Sequence, residues 1–191
     1  ASYVALDSAI EFNDTADWSA TWWARRGENG GDEGMVMGER ETTKNFVWLN
    51  DKFAGLRFRS NDTTTHDFTV GKDLELHHYA LVADGAGTLS LYRDGQWVAD
   101  KSGDTSFKID TVGEAYTNST YGLKGSLDEV RVFSGSLTAG QVEAIYDDEK
   151  PVVGLDLTVT NLRIILVGGQ SNADGRAPTS SLPTSPVDLQ Q

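Results

Sequence analysis

At 191 residues, with 38% hydrophobic and 24% charged side chains, the chain has the length and balance of one sizeable globular domain and a fraction of another. Its 16 Lys and Arg against 29 Asp and Glu give a net charge of −13, which repels nucleic acid at long range and offers carboxylates to hard cations, calcium first. The absence of cysteine excludes disulfides, zinc–thiolate sites and thiol nucleophiles, and no apolar run has the length of a membrane helix, so no membrane insertion is expected.

The first clear element is DWSATWWARR, Asp17 to Arg26. Its alternation predicts a strand with Trp18, Ala20, Trp22 and Ala24 on one face and Ser19, Thr21, Trp23 and Arg25 on the other. NFVWLN and AGLRFRS flank Asn50-Asp51-Lys52 and predict a hairpin. The run from Leu76 to Gly103 predicts three more strands, with turns at Asp84-Gly85 and Asp94-Gly95 that call for positive φ. GSLDEVRVFSG is a further strand. SLTAGQVEAIYDDEK then predicts a helix: Thr138 is the N-cap, Gln141 closes a capping box, and Leu137 staples onto Val142. Val142, Ile145 and Tyr146 form its apolar stripe.

The chain changes character near Lys150-Pro151. All aromatic residues lie between Tyr3 and Tyr146, and all 4 prolines (Pro151, Pro178, Pro183, Pro186) lie beyond that boundary. Aromatics fill cores, while proline interrupts ladders and helices. Residues 1–149 therefore read as a domain, 150–160 as a linker, and 161–191 as part of something else. Many short strands at regular spacing predict an all-β, antiparallel jelly-roll sandwich with one short C-terminal helix, followed by an incomplete α/β fragment. The sequons at Asn13, Asn61 and Asn118 are what a chain rich in Asn and Thr produces by chance. His66, His77 and His78 have no metal-cage spacing and read as surface or core side chains.

WSATWWARR, LHHYALVADGAGTLSLYRDGQWV and GSLDEVRVFSGSLTAGQVEAIY together resemble the laminin-G-like, concanavalin A-like jelly-roll family, in the right order and over nearly all of residues 1–149. The resemblance implies a glycan-binding or adhesion module. It also implies a structural calcium ion at the sheet rim, held by Asp128 with help from Asp14 and from carbonyls near Glu11–Asp14 and in the GENGGDEG loop. Trp23 falls where the family has its packing tryptophan, which leaves Trp22 and Trp48 as candidates to stack on sugar. Arg57 and Arg59 alternate around Phe58 and, with Arg25, would form a basic strip suited to carboxylated or sulfated glycans. Ordinary solvated strand faces explain the same arginines.

NLRIILVGGQSNADGRA, from Asn161, resembles the first block of the SGNH hydrolases, especially the sialate O-acetylesterase and carbohydrate-esterase branch. An apolar strand runs into Gly168-Gly169, and Ser171 stands where the family has its nucleophile. A serine nucleophile also needs a base and oxyanion donors. Ala177–Gln191 supplies neither, so no triad is expected within this sequence, and Ser171 would act only in a parent hydrolase. Three functions remain. The first is a non-catalytic, calcium-stabilised carbohydrate-binding module that targets an attached glycan O-acetylesterase to polysaccharide, outside the cell or on its surface. The second is a structural or adhesion component, such as a phage fibre or virion decoration, in which residues 161–191 contact an oligomer mate. The third, not expected, is an esterase active in this chain. The partners implied are a glycan and the rest of a hydrolase or an oligomer mate.

Overall fold

The computed structural model describes residues 3–27, 34–50, 55–71, 74–116 and 121–151. Ser171 and all of the SGNH-like segment lie outside them, as does most of the GENGGDEG loop. Among the described residues, eleven strands and one helix follow in order: β1 Val4–Phe12, β2 Asp17–Arg26, β3 Met35–Gly38, β4 Phe46–Asn50, β5 Gly55–Ser60, β6 Thr64–Thr69, β7 His77–Asp84, β8 Thr88–Arg93, β9 Gln96–Ser102, β10 Phe107–Val112, β11 Gly125–Phe133 and α1 Ala139–Glu149. They build two antiparallel sheets, β1-β10-β3-β4-β5-β6 and β11-β2-β7-β8-β9. This is the sandwich the strand spacing calls for.

The alternation decides what lies between the sheets. From β2, Trp18, Ala20, Trp22 and Ala24 face inward, against Val47 and Leu49 of β4, Leu56 and Phe58 of β5, and Leu89 and Leu91 of β8. Trp18 is the hub: its ring lies 5.7 Å from Phe12, 5.8 Å from Phe58 and 5.3 Å from Phe107. Its indole N–H donates to the Thr105 carbonyl at 2.9 Å, so burial leaves no orphaned donor. Both Asp-Gly pairs do what short hairpins require. Asp94 and Gly95 have φ of 52° and 76°, the two positive angles of a type I′ turn joining β8 to β9. Gly85, at φ 66°, closes the β7–β8 connection.

The outer faces of the two sheets differ. Across the five-stranded sheet lies α1. Thr138 caps it, accepting from the Gln141 amide at 3.2 Å, while the Gln141 side chain accepts from the Thr138 amide at 2.8 Å. Val142 is fully buried against Ala80, Val82 and Tyr92, and Leu137 packs beside it. Upstream, the Ser19 hydroxyl donates to the Gly135 carbonyl at 2.8 Å and accepts from the Leu137 amide at 2.9 Å, which pins the approach to the helix. Trp23 stacks on Tyr146 at 5.8 Å and donates to Glu149 at 2.9 Å, and Arg131 pairs with the same carboxylate. Trp23 is thus a packing residue. The outer face of the six-stranded sheet carries no helix among the described residues.

Candidate functional site

Two rungs cross the outer face of the six-stranded sheet, which among the described residues carries no helix but is covered at one end by Ala115, Tyr116 and Tyr121. Met35, Trp48, Arg57 and Asp67 stand opposite one another on β3, β4, β5 and β6; Phe46, Arg59 and Thr65 form the next rung. The aromatic end of these rungs is a small cluster in which Trp48 meets Phe46 at 5.9 Å and Tyr121 at 5.5 Å, both edge-on. The structure thus brings Trp48, Arg57 and Arg59 together. It does not bring Trp22 or Arg25 to them. Trp22 is fully buried between the sheets and stacked on Tyr79 at 5.7 Å, so no ring face is open to a sugar. Arg25 belongs to the other sheet, opposite Ser126.

The arginines are not an open basic strip. Arg57 donates twice to Asp67, at 2.6 and 2.7 Å, and Arg59 donates to the Asp62 carboxylate and, at 3.0 Å, to the Asp62 carbonyl. Bidentate pairing with Asp67 engages the Arg57 groups that an anionic glycan would have to use, and Asp62 neutralises the charge of Arg59. Sequence periodicity places side chains on a face, but it cannot show which carboxylates share that face.

Asp14 and Asp128 do not share a site either. Asp14 lies in the turn before β2, whereas Asp128 pairs with Trp23, six residues further along that strand from Asp17. At about 3.3 Å per residue, the two ends of this span stand roughly 20 Å apart. One ion cannot reach both. The Asp128 carboxylate accepts the Glu129 amide at 2.9 Å. Among the described residues, no group of three or more His, Asp or Glu side chains is arranged to hold a metal.

What sequence reasoning missed is a notch. β10 pairs with β3 only through Thr111 and Val112, because β3 stops at Gly38. The first half of β10 runs on with β1 on one side and, among the described residues, no strand on the other. In this gap lies a cavity of about 690 Å³, open to solvent, between β10 and the adjoining ends of β4 and β5. Its walls carry Asn13, Asp14, Glu39, Asn45, Asn61 and Asp104, together with Glu11, Lys44, Ser106 and Lys108. The only sequence signal was indirect: polar side chains crowd GERETTKN after β3 and NDTTT after β5.

The notch is built rigidly. The Asn61 side-chain amide donates to the Ser106 hydroxyl at 2.6 Å and to Asp104 at 3.4 Å. Asp104 also accepts the Ser106 amide at 2.8 Å and its hydroxyl at 2.6 Å. Asn45 donates to Glu39 at 3.0 Å and accepts the Asn61 amide at 3.2 Å. Lys108 bridges Glu11 at 3.2 Å and Glu39 at 3.3 Å. Asn61 and the following Asp62 adopt φ of 47° and 64°, a left-handed turn that Asn and Asp tolerate.

Charge follows from these bonds. Partial burial pushes the Asp104 carboxyl upward, but hydrogen bonds from Ser106, Ser60 and Asn61 outweigh it and hold it below the usual aspartate range. Lys108 is held above its ordinary value by hydrogen bonds to Glu11 and then Glu39. Among the described residues, four carboxylates (Glu11, Asp14, Glu39, Asp104) line the cavity with two lysines. It is an acidic, acceptor-rich recess: the Asn61 amide is engaged by Ser106 and Asp104, and the carboxylates keep acceptor capacity for a ligand's hydroxyls.

A two-sheet antiparallel sandwich with a polar recess at the rim of its six-stranded sheet is a lectin-like architecture. The chain belongs to the concanavalin A-like lectin/glucanases superfamily, whose Laminin_G_3 family model matches residues 1–143. No curated protein matches it. Among solved structures it is similar to domain 4 of AbnA, a GH43 extracellular arabinanase from Geobacillus stearothermophilus solved with arabinotriose, at 17% identity and TM-score 0.52, covering 74% of this chain and 75% of that one. It is also similar to the CBM40 of the Ruminococcus gnavus IT-sialidase, at 13% identity and TM-score 0.54, covering 75% and 96%. A third is the heptameric SAP-like pentraxin of Limulus polyphemus, at 10% identity and TM-score 0.55, covering 75% of each chain. At these identities the likeness is one of fold. No helix among the described residues is long and apolar enough to cross a membrane.

Proposed function

We propose that this domain is a non-catalytic carbohydrate-binding module that holds an uncharged glycan in the β10 notch. The observation that carries the reading is the recess itself: a cavity of about 690 Å³ in which the Asn61, Asp104 and Ser106 side chains fix one another and Asn45 is held by Glu39 and the Asn61 backbone N–H. Sugar hydroxyls donate and accept at once, so paired carboxylates and amides suit vicinal hydroxyls. Prefixed partners lower the ordering cost of binding. Four carboxylates against two lysines disfavour uronate or sulfate groups, the reverse of what Arg57 and Arg59 suggest without their partners. The arabinotriose complex of the arabinanase domain supports glycan binding on this fold.

The SGNH-like sequence from Asn161 supports an attached glycan O-acetylesterase, which such a module would keep near acetylated polysaccharide outside the cell or on its surface. Affinity electrophoresis through arabinan, xylan, mannan, β-glucan and polygalacturonate tests the binding. Retardation is expected in at least one neutral gel and is weakened in Asn61→Ala. Free migration in all neutral gels, or retardation indifferent to Asn61, rejects the notch.

A further inference from the structure

We propose a second sugar-binding platform, on the opposite sheet, formed by Trp97 with Asp100 and Ser90. It rests on the carbohydrate-binding reading above but on none of the notch residues.

Trp97 is 59% exposed, the largest exposure of any big apolar side chain among the described residues. The other tryptophans all have packing partners: Trp18 and Trp22 in the core, Trp23 under α1, Trp48 in its aromatic cluster. The exposure of Trp97 is produced by the backbone. Along β8 and β9, Leu91 pairs with Ala99, but the next residue, Tyr92, pairs with Trp97. Val98 is therefore an extra residue, a β-bulge. Ala99 and Val98 both pack toward the core. Regular alternation would send Trp97 inward after Ala99; the bulge turns it to the outer face, beside Tyr92. Bulges of this kind re-aim side chains, often at binding sites.

Once outside, the ring is held. The Trp97 indole N–H donates to Asp100 Oδ1 at 2.9 Å, and the Ser90 hydroxyl donates to the same oxygen at 2.7 Å. The indole donor is thereby consumed within the protein, and the π surface is what remains on offer. Trp97 stacks on no other ring among the described residues. A fixed aromatic ring flanked by a carboxylate matches a pyranose or furanose ring, which presents C–H groups on a face and hydroxyls at its edge. The neighbouring Asp100 is exposed, and its carboxylate offers acceptors to the hydroxyls at a sugar's edge. Holding the ring in advance limits the entropy lost when a sugar docks.

The test is an NMR titration of the 15N-labelled chain with xylohexaose, cellohexaose, mannohexaose and arabinohexaose, following the indole N–H signals. Trp97→Phe identifies the Trp97 signal by its disappearance. One oligosaccharide is expected to move that signal in the wild type, and to move it equally in Asn61→Ala. Trp97→Ala should weaken binding at this platform by on the order of tenfold, with Trp97→Tyr retaining most of it. A Trp97 signal unmoved by every oligosaccharide overturns the platform. If backbone amides around Asn61 shift meanwhile, the notch stands without it; if nothing shifts, both fail. Loss of the Trp97 response in Asn61→Ala overturns its independence. A Trp97 indole shielded from a gadolinium chelate in the free protein overturns it too, because the ring is then already covered.

Discussion

Replacing His78 with leucine should remove a defined part of the acid sensitivity of the fold. His78 is fully buried beneath α1, 5.5 Å from Trp23 and 6.0 Å from Tyr146 between ring centroids. Neither of its ring nitrogens has a hydrogen-bond partner among the described residues. Burial pushes its pKa from 6.5 down to about 4, opposed by the charge of Asp94 and aided by that of Arg131. The unfolded chain therefore takes up a proton on this residue at a pH where the folded chain does not. The stabilisation is complete above 6.5 and is lost as pH falls toward about 4. Full development of that difference is roughly 3 kcal/mol, and by pH 5 about 2 kcal/mol is gone. Urea denaturation at pH 7 and pH 5 measures it. The stability drop between the two should be smaller in His78→Leu than in the wild type by about 2 kcal/mol. Equal drops would mean that His78 is hydrated or already protonated in the native state, and the reasoning would fail.

Other consequences follow from the same geometry. Thr138→Ala removes the acceptor for the Gln141 amide and half of the capping box, and should cost about 1 kcal/mol in urea denaturation. Gly85→Ala sets a Cβ 2.3 Å from the Asp17 carboxylate and 2.9 Å from the Thr15 carbonyl, at φ 66°. A loss of about 1–3 kcal/mol is expected by thermal denaturation, and a silent substitution would refute the turn geometry. Phe58→Ala empties a fully buried position 5.0 Å from Phe107 and should cost about 3–5 kcal/mol.

Much of the fold was legible because it is local. The period of DWSATWWARR assigned Trp18 and Trp22 to one face, and the Asp-Gly pairs fixed two turns. The capping box at Thr138 and Gln141 stands as read. The site was less legible because it is not local. Facing direction alone could not separate Trp22 from Trp48: the first fills the core, the second lies on the open sheet. Arg57 and Arg59 were placed on one face correctly, but Asp67 comes from β6 and Asp62 from the turn, and these partners decide the charge there. The notch depends on β3 ending while β10 continues, two strands that are neighbours in the sheet yet far apart in the chain. Trp97 escaped notice because a bulge breaks the very alternation used to read strands.

The central claim is that the fixed amides and carboxylates of the β10 notch hold an uncharged glycan. Isothermal titration of the wild type and of Asn61→Ala with the neutral oligosaccharide that best retards the protein in gels tests it most directly. Binding should weaken by on the order of tenfold or more in the variant, alongside a modest fall in the urea midpoint, because alanine at φ 47° loses both the left-handed tolerance of asparagine and its bonds to Ser106 and Asp104. Equal affinities in the two proteins would contradict the account.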